Sequence, residues 1–559
     1  MEREQLTSGQ TLCGGILALC ALASASGAEQ PPFREVSEAW GLTFRHHHGG
    51  SGAFYMPETM GSGVVLFDYD GDGDLDVFFI DSGALPGYTG DPGRSVLYRN
   101  DGSGRFVDVT ERSGIVVTGY GMGGVAGDVD GDGDLDLCVT AFGRNQLFVN
   151  RGDGTFEDRT DAAGVGDPLW SASAAFADVD RDGDLDLYVT NYVDFSFDNN
   201  PLCGLPSEGL RSYCHPDVYQ GLPDRFYRNR GDGTFFDDTA SAGFGSARGK
   251  GLGVIFAHLN GDLWPDLYVA NDMTPNFLFR NRGDGSFEDV AVLAGVAYSD
   301  QGQPEAGMGV EVGDLTGDGL PEILVTHLDQ QTNALYSAVS STLFLDRRHA
   351  SRLAEASLFE VGFGVALVDY DQDGDLDVVL ANGHIIHNID QWGRGTTYRQ
   401  RNQLFSNDGR GRFEEVSGSG LDVVRSSRGL AAGDLDGDGD LDLVVTSSND
   451  LAEVYENRCG DCGGWLRVDL ASSAGDRHGI GAQIQLEAAG KRQQREVRTG
   501  TSYLSQGALT SHFGVGAAER VESLEVHWPS GRLQRLHSVP ASRRLRIHQR
   551  TRSGEATQP

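Results

Sequence analysis

The chain has 559 residues and carries 82 Asp or Glu against 44 Lys or Arg, a formal net charge of −38. That surplus excludes nucleic acid as the partner, because binding to a phosphate backbone runs on cationic surface. No apolar stretch after the first 28 residues approaches the roughly 20 residues of a membrane-spanning helix, so no transmembrane helix is expected.

Residues 1–28 read as an export signal. The apolar run from Leu12 to Ala23 is too short to span a bilayer, and Ser26-Gly27-Ala28 offers a cleavage site. Arg3 between Glu2 and Glu4 makes a poor basic start. Attachment of lipid at Cys20 is the lesser alternative, since Leu19 is larger than the small residue usual before such a cysteine. The expected location is exported: secreted, periplasmic or at the cell surface.

Phe33-Arg34-Glu35-Val36-Ser37 reads as a strand with no earlier partner, and His46-His47-His48 as a solvated loop rather than a transition-metal site. The next segment sets the pattern. Asp68-Tyr69-Asp70-Gly71-Asp72-Gly73-Asp74-Leu75-Asp76 recurs as D-x-D-x-D-G-D-L-D at Asp128, Asp178, Asp369 and Asp434. The carboxylates of these copies are Asp128, Asp130, Asp132, Asp134 and Asp136; Asp178, Asp180, Asp182, Asp184 and Asp186; Asp369, Asp371, Asp373, Asp375 and Asp377; and Asp434, Asp436, Asp438, Asp440 and Asp442. Alternate carboxylates converge on one point and the glycine at position six permits the sharp turn. Oxygen-only ligands select a hard cation, and this many carboxylates favour Ca²⁺. Two copies are degraded. His258 and Leu263 replace a carboxylate and the turn glycine in one, which is expected to hold no cation. Asp314, Asp318 and Glu322 remain in the other, where Thr316 replaces a carboxylate. About five to six Ca²⁺ sites are therefore expected.

These loops are not EF-hands. Position 12 of the first is Phe79, not Glu, and the flanks are strands. Small-residue runs such as Gly61–Phe67 precede the loops, and bulky runs such as Leu75–Ile80 follow them. A third signal ends in Asn, as in Leu97-Tyr98-Arg99-Asn100, and a fourth starts at Phe106 or its counterpart. Four strand signals per unit, with loop starts 60, 50, 80, 56, 55 and 65 residues apart, predict a β-propeller. The N-terminal strand supplies the fourth strand that the last unit lacks, giving seven blades closed on themselves. The fold class is all-β: a seven-bladed propeller at 33–458, then a small antiparallel β domain at 463–548, with 549–559 a disordered tail.

The repeats resemble the FG-GAP repeats of integrin α-chain propellers. Gly479-Ile480-Gly481-Ala482, His512-Phe513-Gly514-Val515-Gly516 and Val526-His527-Trp528-Pro529 resemble the ASPIC/UnbV domain. Together the chain is similar to the cartilage acidic protein family, in its bacterial branch. Residues 463–559 hold 14 Arg or Lys against 8 Asp or Glu, so this region is basic and suited to docking on the acidic repeats or on an anionic outside partner.

Cys203 and Cys214 are expected to form a disulfide within one long loop, and Cys459 and Cys462 a small one where the repeats end. Arg151-Gly152-Asp153 and its two copies are read as turn chemistry. The face opposite the cation loops carries Asn191, Asn271, His327, Asn382, His384 and His387, and long loops on a rigid scaffold are the usual place for recognition. The expected function is a non-enzymatic binding or adhesion module for an extracellular protein or glycan. The alternatives are an enzyme using His384, His387 or His327 at the channel mouth, and a scaffold in an exported biosynthetic complex.

Overall fold

The computed structural model describes residues 30–550 apart from positions 206, 208, 460, 461, 473 and 474. The export segment with Cys20 lies outside the described residues, as do 551–559 of the expected tail. Gln549 is tied in, its N–H donating to the Ala471 carbonyl at 2.8 Å.

Seven sheets of four antiparallel strands fill the chain up to Asn457. Their first strands are Val64–Phe67, Tyr120–Gly127, Ser171–Ala177, Gly251–Ala257, Val310–Gly313, Gly362–Val368 and Ser427–Gly433. The seventh sheet takes its fourth strand from the N-terminus: Phe33–Glu35 pairs antiparallel with Glu453–Asn457, Phe33 opposite Asn457. Short helical turns, absent from the sequence reading, follow several fourth strands, as at Thr110–Ser113 and Thr160–Ala163. Each ends at a glycine in the left-handed region, Gly114 (φ 76°) and Gly164 (φ 79°), which stops the helix after one turn.

The core lies between sheets. Phe67, Phe78 and Leu97 of the first sheet pack on Leu137, Val139 and Phe148 of the second. Val77, Phe79 and Tyr98 of the first also pack on Val444 and Val454 of the seventh. Each sheet is thus covered on both faces, which explains continuous apolar runs where a half-exposed strand would alternate.

Two polar bonds recur between sheets. Asn Nδ2 at the end of a third strand donates to a backbone carbonyl in the preceding sheet's cation loop. Asn150 reaches Tyr69 (2.8 Å), Asn229 reaches Val129 (2.8 Å) and Asn281 reaches Val179 (2.8 Å). Asn100 of the first sheet reaches Leu435 of the seventh at 2.7 Å. A Thr hydroxyl from the second strand donates to the next sheet's first strand or the residues leading into it: Thr326 to Phe363 (2.8 Å) and Thr446 of the seventh to Ser62 ahead of the first (2.6 Å). Such close approach needs glycine. A Cβ on Gly429 would lie 2.8 Å from the Ser62 carbonyl oxygen.

The C-terminal region forms two sheets, Lys491–Glu496, Gln483–Ala488, Arg520–His527 and Leu533–Pro540 in one, Ser511–Gly516, Gly464–Ala471 and Arg543–His548 in the other. It is not wholly antiparallel as expected: Gly464–Ala471 and Arg543–His548 run parallel. The last strand returns only after the four-stranded sheet is complete, and this long crossover is what a parallel pair requires. Cys203 pairs with Cys214, and Cys459 with Cys462, while Cys138 is a buried free thiol. The first bridge braces the Cys203–Leu205 and Leu210–Ser212 hairpin and contributes roughly 2–4 kcal/mol by restricting the unfolded chain.

Candidate cation loops and the opposite face

The D-x-D-x-D-G-D-L-D loop folds around its own carboxylates. The glycine at position six takes φ between 93° and 102° in the five strict copies, a conformation open to glycine. In four of these copies its N–H donates to the carboxylate at position one, as at 2.9 Å from Gly73 to Asp68 and 3.1 Å from Gly133 to Asp128. The Asp at position nine is a knot: Asp76 accepts the N–H of Tyr69 (3.0 Å) on one oxygen and that of Asn100 (2.8 Å) on the other. Asp136 and Asp442 repeat this pair of bonds. Position nine thus joins the loop to the third strand.

Among the described residues six groups of three or more His, Asp or Glu side chains could hold a metal ion. They include Asp68, Asp70 and Asp76; Asp128, Asp130 and Asp136; Asp178, Asp180 and Asp182; and Asp369, Asp371 and Asp377, with ligand atoms within 4.8 Å of one another. The donor set fits a hard cation. The Oδ1 atoms of Asp70, Asp128, Asp178 and Asp369 are shielded from solvent and have no hydrogen-bond partner. A buried carboxylate oxygen without a donor is costly unless a cation takes it. Burial, then the neighbouring charges of Asp182 and Asp180, pushes Asp178 up to about 7. Burial likewise raises Asp76 to about 8. A divalent ion would reverse that penalty.

The worn copies differ from each other. At Asp314 the Oδ1 is again buried without a partner, and Glu322 accepts the N–H of Leu315 at 2.8 Å as position nine does elsewhere. At His258 the geometry is different. Leu263 replaces the turn glycine at φ 67°, and the imidazole bridges Glu496 (2.7 Å) and the Leu263 carbonyl (2.8 Å). Asp262 accepts from Asn260 and Trp264. The strict copies are unequal too. Asp434 gives one oxygen to the Gly437 amide and the other to the Arg467 guanidinium. Side chains at position seven turn elsewhere: Asp375 meets Lys491 at 2.6 Å, Asp440 meets Gln372, and Asp74, Asp134 and Asp184 lie against Gly102, Gly152 and Gly231.

Glu496, Arg467 and Lys491 all belong to the C-terminal sheets, which cover the cation loops. Arg544 reaches the Gly73 carbonyl at 2.6 Å and Arg477 the Gly131 carbonyl at 3.0 Å. Segment 499–508 then threads between the first strands. Gln506 pairs with Val64 and Leu66, Ser502 pairs with Val310, and Leu504 accepts from Gly124. A Cβ on Gly63 would lie 1.8 Å from the Leu504 carbonyl oxygen, so this strand must be bare there. Tyr503 is wholly buried and its hydroxyl donates to the Met60 carbonyl at 3.0 Å. Met56, Met122, Trp170, Met308 and Phe363 close around it.

The residues expected on the opposite face are placed as follows. Asn191, Asn271 and Asn382 are buried, and their amides donate to the carbonyls of Pro223, Pro275 and Arg401. They hold the loops rather than face solvent. His327 is buried against the Thr332 carbonyl (3.0 Å), and burial lowers its pKa to about 4. His384 is buried beside Asp329 at 3.3 Å. His387 lies tilted against Phe54 and edge-on to Tyr213, with ring centroids 5.4 and 6.1 Å away. The His46-His47-His48 segment is not the solvated loop expected: His46 is buried on Ser82 (2.9 Å), and His47 pairs with Asp81 (3.0 Å), because both are needed to tie the entry segment to the first sheet.

Sequence reasoning missed the aromatic group around His387. Phe54 lies under the Arg211 guanidinium at 4.9 Å, Tyr213 donates to Glu58 at 2.9 Å, and Tyr55 meets Phe197 edge-on at 5.0 Å. Three loops far apart in the chain supply these residues, and no local pattern marks them.

Residues 68–139, 128–189, 258–325 and 369–445 match the FG-GAP-like repeat family, and 472–554 match the ASPIC and UnbV family. The repeats are thus of the FG-GAP-like family and the C-terminal region of the ASPIC and UnbV family. It is 29% identical over 324 residues to cartilage acidic protein 1 of Homo sapiens, covering 56% of this chain and 45% of that one. The Mus musculus protein is 29% identical over 327 residues, 56% of this chain and 46% of that one. The chain thus spans about half the length of the curated relatives it matches. These relatives are vertebrate, so the comparison does not single out a bacterial branch. Among solved structures, an Agrocybe aegerita lectin that recognises non-reducing terminal N-acetylglucosamine covers 69% of this chain and 88% of its own, at 17% identity and a TM-score of 0.38. The Vibrio cholerae biofilm matrix protein Bap1 covers 66% and 60%, at 12% identity and a TM-score of 0.27.

Proposed function

We propose that the protein is an exported, calcium-binding, seven-bladed β-propeller of the bacterial branch of its family, which acts as a non-enzymatic binding or adhesion module. Residues 33–458 are the propeller and 463–548 the docked domain. Its ligand, an extracellular protein or glycan, sits on the face opposite the calcium loops. One observation carries this reading: the cation-loop end is covered by the C-terminal sheets and its centre is filled by segment 499–508. The opposite end keeps its long loops free, braced by the Cys203–Cys214 bridge. Those loops present Phe54, Tyr213, His387 and Phe197, rigid aromatic surface of the kind that anchors ligands at small entropic cost. Disulfides and oxygen-only cation sites fit an oxidising, calcium-rich exterior.

The test is capture. Purified full-length protein is applied to a glycan array and to extracellular-protein pull-downs, beside Phe54→Ala and His387→Ala. Both variants are expected to keep the melting midpoint within about 2 °C, since these side chains are partly exposed, and to lose at least tenfold in ligand retention. Undiminished retention by both variants, or a turnover activity abolished by His384→Ala, overturns the reading.

A further inference from the structure

The C-terminal sheets meet most of the cation loops with positive charge: Arg467 at Asp434, Lys491 at Asp375, Arg544 at Gly73. At the second loop they present Asp476 and His478 beside Arg477. One ligand atom each from Asp128, Asp476 and His478 lies within 4.8 Å of the others. Asp128 is 1% exposed, and its Oδ1 has no hydrogen-bond partner. The Nδ1 of His478 is likewise shielded and unpartnered. Asp476 is buried, its carboxylate aimed by the amides of His478 (3.1 Å) and Ile480 (2.7 Å).

Within the turn, His478 Nδ1 approaches Asp476 Oδ1 only to 3.8 Å, too far for a hydrogen bond. Arg477, the nearest cation in sequence, spends its Nε on the Gly131 carbonyl at 3.0 Å. Its backbone N–H goes to Asp128 Oδ2 at 3.2 Å, and Oδ1 is left without a hydrogen-bond partner. The turn cannot swing away, because the Asp476 N–H donates to the Gly183 carbonyl of the third loop at 2.9 Å. Two buried carboxylates held face to face repel unless a positive charge lies between them.

We propose that the second loop and the C-terminal domain share one divalent cation, held by Asp128, Asp476 and His478. The nitrogen ligand sets it apart from the oxygen-only loop sites. Two carboxylates and an imidazole suit a borderline ion of the Zn²⁺ class, whereas the loops suit Ca²⁺. The site fastens the covering domain, and with it segment 499–508, to the second sheet. It uses Asp128, as the calcium reading does, so the variants are chosen outside the overlap: Asp476→Asn and His478→Gln touch only the shared site, and Asp132→Ala only the loop.

Full-length protein is stripped with chelator and reloaded with Ca²⁺ alone or with Ca²⁺ plus one equivalent of Zn²⁺, and native mass spectrometry counts the ions. Wild type is expected to take one Zn²⁺ beyond its Ca²⁺ complement. Asp476→Asn and His478→Gln lose that ion and keep the Ca²⁺ count, while Asp132→Ala loses one Ca²⁺ and keeps the Zn²⁺. Protease cleavage between the repeats and the C-terminal domain slows at least tenfold with Zn²⁺ in wild type and is unchanged by Zn²⁺ in His478→Gln. His478 is partly exposed, so this variant tests the ion rather than folding. Absence of Zn²⁺ from wild type, or its retention by both shared-site variants, overturns the proposal. A wild type that takes Zn²⁺ but no Ca²⁺ upholds it and sinks the calcium reading instead.

Discussion

The second and fourth loops occupy equivalent places in their sheets and solve the same electrostatic problem in opposite ways. In the second, Asp128, Asp130 and Asp136 converge and leave an oxygen without a donor. In the fourth, His258 replaces the first carboxylate and Glu496 comes across from the C-terminal sheets to meet it. One arrangement is able to take a cation from solution; the other meets its histidine with a carboxylate of the C-terminal sheets. The difference teaches that a worn repeat need not be a weak one, since the fourth loop carries a buried ion pair where the second carries converging carboxylates. Its side chains are only 4% and 10% exposed.

The comparison breaks most readily by chelation. Each loop site held at about 100 times its dissociation constant adds roughly 2.7 kcal/mol, so stripping several at once is expected to lower the melting midpoint by roughly 10 °C or more. An unchanged midpoint in verified apo protein removes the cation from the account. Next in size is Glu496→Gln, which strands the buried His258 and is expected to cost about 3 kcal/mol in denaturant titration. If the fourth loop holds no ion, that cost persists in chelator. Asp132→Ala is expected to lose one ion and up to about 2.7 kcal/mol in Ca²⁺, and almost nothing in chelator.

A smaller effect separates the loops by pH. Burial opposes the charged imidazole of His258, yet the Glu496 carboxylate raises its pKa above 6.5, and His258 in turn holds Glu496 below 4.5. The raised histidine stabilises fully below 6.5 and loses that contribution as pH rises through its folded value. The depressed glutamate stabilises above 4.5 and loses its contribution as pH falls through its folded value. The stability difference between wild type and the His258→Gln, Glu496→Gln double variant should therefore peak between about 4.5 and 6.5 and shrink on either side. A flat difference argues that the pair is not ionised. Smallest is Asp262→Ala, expected to change stability by under about 0.5 kcal/mol and to release no ion. Loss of an ion there erases the distinction between the two loops.

Much of this is legible in the sequence. The loop carboxylates, the position-six glycine and the third-strand Asn recur because each unit must make the same turn and the same knot at Asp76 or Asp136. Phe33–Glu35 was legible for the same reason, as a fourth strand without a unit of its own. The Cys203–Cys214 bridge followed from short spacing. The parallel pairing of Arg543–His548 with Gly464–Ala471 was not, because strand direction depends on the path between strands. Nor was the burial of Asn191, Asn271 and Asn382, whose polarity suggested a surface while their amides were needed by loop carbonyls.

Local repetition by itself determined the seven units, their four strands, the candidate ion ligands and the acidic charge, because these depend on interactions within a few tens of residues. Only the tertiary structure decided which end of the array is covered, that Tyr503 is buried against Met60, that Arg467 enters the seventh loop, and that Asp476 and His478 lie beside Asp128. Those contacts join the C-terminal region to the repeats, where no period connects them, and they are selected by charge and shape complementarity between folded surfaces.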